Sequence, residues 1–70
     1  MTDTEVGRRI REIRDQKGIT QEQLADAAGV SRPYLSNLER GIATNPRTET
    51  LRAIAAALGC RLEILFRPIR

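Results

Sequence analysis

The chain has 70 residues, 40% of them hydrophobic and 30% charged, a balance suited to one small folded domain with no room for a second core. Twelve basic and nine acidic groups give a net charge of +3, and one cysteine with no histidine excludes an internal disulfide, a structural zinc and imidazole-assisted catalysis. An enzyme, a metal site and a cofactor are therefore not expected, and without an apolar run near the ~20 residues of a membrane span or a positive leader, a soluble cytoplasmic chain is.

Charge is unevenly spread. Residues 1–28 carry a net −1 and residues 29–70 a net +4, and eleven of the twelve cations are arginine, whose planar fork suits phosphates and guanine edges. The same excess also suits an ordinary solvated surface, so charge alone does not assign a partner. A domain near 60 residues buries only about 60% of its unfolded surface, which favours self-association.

Val6, Ile10 and Ile13 recur at spacings of four and three among charges, which predicts an amphipathic helix over 5–17 stopped by Gly18. Thr20-Gln21-Glu22-Gln23 is a capping box, so a second helix starts at Gln21, turns Leu24, Ala25 and Ala28 inward and ends at Gly29. Ser31 caps a third helix over 32–40, with Pro33 tolerated in its first turn, Leu35 and Leu38 inward and Gly41 as terminator. Residues 42–46 read as a loop, and Asn45, Pro46 or Arg47 caps a fourth helix carrying Leu51, Ile54, Ala55 and Leu58 and ending at Gly59.

The tail after Gly59 fits two patterns. Leu62, Ile64 and Phe66 alternate with charges as in a half-buried strand, whereas Leu62, Leu65, Phe66 and Ile69 fit a helical stripe. Pro68 weighs against a long helix, and the alternation favours the strand.

Two short helices, 21–28 and 32–40, joined by the tight Gly29-Val30-Ser31 turn have the layout of a helix-turn-helix, whose second helix enters the DNA major groove. Residues 8–59 resemble the Cro/C1-type (XRE) repressor domain. The likeness rests on Arg8-Ile10-Ile13-Arg14, Thr20-Gln21-Glu22-Gln23-Leu24-Ala25, Gly29-Val30-Ser31, Leu35 through Gly41, and Leu51 through Gly59.

That resemblance implies an all-α, lambda-repressor-like bundle of four to five helices that binds a pseudo-palindromic operator in double-stranded DNA as a homodimeric repressor. It implies base contacts from Arg32, Pro33, Ser36 and Asn37. Arg32 has the fork for guanine O6 and N7, Asn37 the amide for adenine N6 and N7, and Pro33, which departs from the commoner polar residue, only an apolar surface for a thymine methyl. Gln21, Arg40 and Arg47 match positions at the DNA backbone, and the Tyr34 hydroxyl is suited by its own chemistry to a backbone phosphate. Plain alternatives stand beside these roles: a capping-region residue for Gln21, packing for Tyr34, and solvent exposure for Arg32 and Asn37. Arg14 and Glu39 match a structural ion pair between the first and third helices.

The tail resembles that of HipB-like antitoxin repressors, which pair a C-terminal strand across the dimer. On this reading residues 1–70 form one domain with a core at 5–59 and a dimerisation tail at 60–70, carried by Leu62, Ile64 and Phe66. A tail that closes each monomer's own core is the alternative. An antitoxin whose main task is to neutralise a toxin protein is the second functional reading, although few residues follow Gly59 to cover one.

Overall fold

A computed structural model of the chain describes residues 3–43 and 45–66. Its elements are four α-helices, α1 (Asp3–Gln16), α2 (Gln21–Ala28), α3 (Arg32–Glu39) and α4 (Thr48–Leu58), followed by a 3-10 helix at Leu62–Phe66. No strand occurs among the described residues. The expected all-α bundle is therefore present without its terminal strand, and Arg67, Pro68 and Ile69, part of the tail reading, lie outside the described residues.

Local chemistry sets the helix ends. Thr20 Oγ1 accepts from the Gln23 amide at 3.0 Å while Gln23 Oε1 accepts from the Thr20 amide at 2.9 Å, so two otherwise orphaned donors are satisfied and α2 begins at Gln21. Gly29 closes α2 with φ 71°, a left-handed geometry in which the Val30 amide reaches the Ala25 carbonyl at 3.0 Å. Ser31 Oγ accepts from the Tyr34 amide at 3.1 Å and opens α3 with Pro33 in its first turn. Of the three candidate caps for α4, Arg47 holds the position, without a side-chain capping bond. Three ends differ from the sequence reading by one or two residues: α1 covers 3–16 rather than 5–17, and α3 stops at Glu39 with Arg40 as its C-cap.

The buried core takes Val6, Ile10 and Ile13 from α1, Leu24 and Ala25 from α2, Leu35 and Leu38 from α3, and Leu51, Ile54, Ala55 and Leu58 from α4. These are the inward positions read from helical spacing, apart from Ala28, which is only half-buried. α2 packs on α3 and α4, and α1 on α3 and α4, so the two helices of the helix-turn-helix share one core with the rest.

The tail departs from its predicted form. Leu65, on the wrong face of the alternating pattern, is fully buried at 0% exposure, whereas Phe66, expected to pack, is 45% exposed. Leu62 and Ile64 are half-buried. A lone strand would leave its amides unpaired, whereas the 3-10 turn gives the Ile64 amide the Arg61 carbonyl at 3.0 Å. Its three-residue period puts Leu62 and Leu65 on one side, against α1 and α4. The core thus extends beyond residue 59 to Leu65, and the tail is partly a lid on the monomer.

Candidate nucleic-acid interface

Helix α3 is two-sided by sequence. Leu35, Leu38 and Glu39 are buried, and the opposite side carries Arg32, Pro33, Ser36, Asn37 and Arg40 at spacings of one, three and four, a continuous stripe along eight residues and the C-cap. Arg32, Pro33 and Arg40 are exposed, Ser36 and Asn37 half-exposed. Beyond α3 the chain turns sharply, because the Ile42 and Ala43 amides both donate to the Asn37 carbonyl, at 2.8 and 3.1 Å. This turn fixes the exit of α3 and leaves Ile42 58% exposed beside it, an apolar side chain that the periodicity did not single out.

The start of α2 faces the start of α3 across a cleft of about 420 Å³ lined by Arg14, Thr20, Gln21, Glu22 and Arg32. Gln21 and Arg32 thus line one concavity. Arg40 and Arg47 are both exposed, one at each end of the connection from α3 to α4. Tyr34 is half-buried and packs against the core.

Beneath this face lies an ionic network. Arg14 donates to Glu39 twice, from Nε to Oε2 at 2.8 Å and from Nη2 to Oε1 at 3.0 Å, and its Nη1 donates to the Ile19 carbonyl at 2.8 Å. The Glu39 side chain is 1% exposed and that of Arg14 11%. Hydrogen bonding to Glu39 holds the Arg14 guanidinium above its ordinary pKa against the opposing cost of burial. A base whose folded value is raised stabilises the fold at every pH below its unfolded value and loses that contribution only as pH climbs through the folded one. Arg14 is therefore charged throughout the neutral range. Gln21 joins it, its Nε2 donating to Glu39 Oε1 at 3.1 Å. Sequence matching paired Arg14 with Glu39 but did not reveal this third bond, since Gln21 and Glu39 lie eighteen positions apart.

Earlier in α1, Arg9 Nε donates to the Ile64 carbonyl at 3.3 Å and Arg9 is itself paired with Glu12. Arg9 thus ties α1 to the tail.

A family model described as helix-turn-helix matches residues 10–65. The chain is 46% identical over 61 residues to the HTH-type transcriptional regulator SlrR of Bacillus subtilis, covering 87% of this chain and 40% of SlrR. It is 45% identical over 60 residues to the immunity repressor protein of Bacillus phage phi105, covering 86% of this chain and 41% of the repressor. The chain thus spans less than half the length of these two relatives. Among solved structures it resembles SinR, the master regulator for biofilm formation, in complex with DNA, with a TM-score of 0.83 and 37% identity over 89% of this chain and 98% of that one. These relatives are transcriptional regulators. The antitoxin reading rested on a pairing strand, and Leu62–Phe66 is helical, so neither that reading nor a toxin partner has support.

Proposed function

The chain belongs to the XRE-type helix-turn-helix family, and from that premise we propose that it is a transcriptional regulator, a repressor, that binds duplex DNA with α3 in the major groove. The observation that carries this reading is the outward stripe of Arg32, Pro33, Ser36, Asn37 and Arg40 on a helix whose other side is locked into the core. Arg32 takes guanine O6 and N7, Asn37 pairs with adenine N6 and N7, Ser36 serves either edge, and Pro33 meets a thymine methyl. Gln21, Tyr34, Arg40 and Arg47 hold the sugar-phosphate backbone, which sets register and supplies the salt-dependent part of affinity. Its work is binding, without catalysis, in the cytoplasm where the operator lies.

The functional unit is a homodimer, joined through the tail by Phe66 with Leu62 and Ile64 beside it. An exposed phenylalanine next to two half-buried aliphatic side chains supports this assignment, because a chain of this size gains most from covering such a patch. Residues 1–70 act as one DNA-binding domain.

Selection of duplexes from a random-sequence pool tests the reading. It should return a pseudo-palindrome with half-sites about one helical turn, roughly 34–36 Å, apart. A pool that shows no enrichment over input would refute it.

A further inference from the structure

Glu39 accepts three hydrogen bonds although its ion pair with Arg14 uses only two of them. The third comes from Gln21 Nε2 at 3.1 Å, and it ties the first residue of α2 to the last residue of α3. We infer that Glu39 is a positioning residue for DNA binding, which holds the Gln21 side-chain amide in the orientation that meets a backbone phosphate. This inference rests on the proposed reading of α2 and α3 as the DNA-binding pair.

The chemistry of the two groups gives the bond a direction. An ionised carboxylate can only accept, so the amide must turn its nitrogen toward Glu39 and its oxygen away, which removes the freedom of a glutamine to flip its ends. Glu39 takes one of the two hydrogens on that nitrogen, and the other belongs to a group lining the cleft shared with Thr20, Glu22 and Arg32. A phosphate seated at the start of α2 then meets a donor with no competing acceptor end. Glutamine otherwise carries much rotamer freedom, and a side chain already fixed gives up less of it on binding. Glu39 is held in turn by the bidentate Arg14 bond, so the orientation of Gln21 is set from the protein interior.

The two roles of Glu39 separate by variant. The probe is the duplex recovered by selection, and affinities are taken on the folded fraction measured by circular dichroism. Gln21→Ala should weaken binding about three- to tenfold, the span of one hydrogen bond, and Glu39→Gln should do the same. The double variant should lose no more than Gln21→Ala alone. Arg14→Met, which frees Glu39 from its bidentate anchor, should lose stability and, in its folded fraction, lose affinity by no more than Gln21→Ala does. Losses that add in the double variant, or a folded Glu39→Gln that binds as the parent does, overturn the inference.

Should Glu39→Gln not fold, the unmodified chain decides by nitrogen-15 spectra of the Gln21 side-chain amide. One amide hydrogen should be protected from exchange in the free protein and the other should shift when the duplex is added. Two hydrogens that exchange equally fast, or no response to duplex, overturn the inference. A chain whose Arg32→Ala variant loses affinity while Gln21→Ala does not leaves the DNA-binding reading standing and removes only the role of Glu39; a chain that binds no duplex removes both.

Discussion

Gly7 lies directly under the carbonyl of Leu38. A β-carbon at position 7 would stand 1.8 Å from that oxygen and 2.9 Å from its carbon, so α1 and α3 approach there backbone to backbone. The closeness has a functional consequence, because Leu38 immediately precedes Glu39, the residue that holds both Arg14 and Gln21. A displaced α1 would move the floor beneath the reading helix.

Gly7→Ala should therefore cost about 3 kcal/mol or more, at the upper end of overpacking penalties, since a backbone atom cannot swing aside as a side chain does. Urea unfolding of the parent and variant measures this. A loss under about 1 kcal/mol would mean that the helices separate with little resistance.

Arg14→Met should destabilise by about 3–5 kcal/mol, because a buried carboxylate loses its charged partner. Arg14→Met combined with Glu39→Leu should recover much of that loss, since a buried pair replaced by apolar groups of similar volume is often neutral. Thermal or urea melts of the single and double variants check the pattern, and a double variant no more stable than Arg14→Met would contradict it.

Arg40→Ala should weaken binding to all duplexes alike and reduce the slope of log affinity against log salt by about one unit. Arg32→Ala should instead cost about 1–3 kcal/mol on the selected site and relax its preference at one base position. Titrations at several salt concentrations on selected and scrambled duplexes separate the two. Equal proportional losses on both duplexes for both variants would show the roles to be misassigned.

Neighbouring residues of the tail should behave in opposite ways. Leu65→Ala should cost about 2–5 kcal/mol of monomer stability, because its side chain is fully enclosed between α1 and α4. Phe66→Asp should leave helix content and melting almost unchanged yet shift sedimentation from dimer to monomer and lower operator affinity through loss of the two-site linkage. A Phe66→Asp protein that sediments as a dimer with unaltered affinity would remove the tail from the interface.

Much of this molecule is decided by short-range chemistry that one sequence displays. The Thr20 capping box, the left-handed Gly29 and the Ser31 cap set the limits of α2 and the start of α3, and three- and four-residue spacing marks Val6, Ile10, Ile13, Leu35 and Leu38 as core. The outward stripe of α3 follows from the same spacing, and its reading as a candidate interface rests on the family resemblance. What sequence could not decide depends on groups far apart in the chain. Leu62, Ile64 and Phe66 alternate as a strand does, but a strand needs a partner for its amides; the space between α1 and α4 admits Leu65, and a 3-10 turn satisfies the backbone on its own. At Gly7 the helical spacing gives no sign of a close neighbour. Only the packed structure identifies that neighbour as the Leu38 carbonyl, and only it brings Gln21 to Glu39, because helix propensity acts over a few residues whereas a hydrogen bond across α2 and α3 exists only once both have docked on a common core.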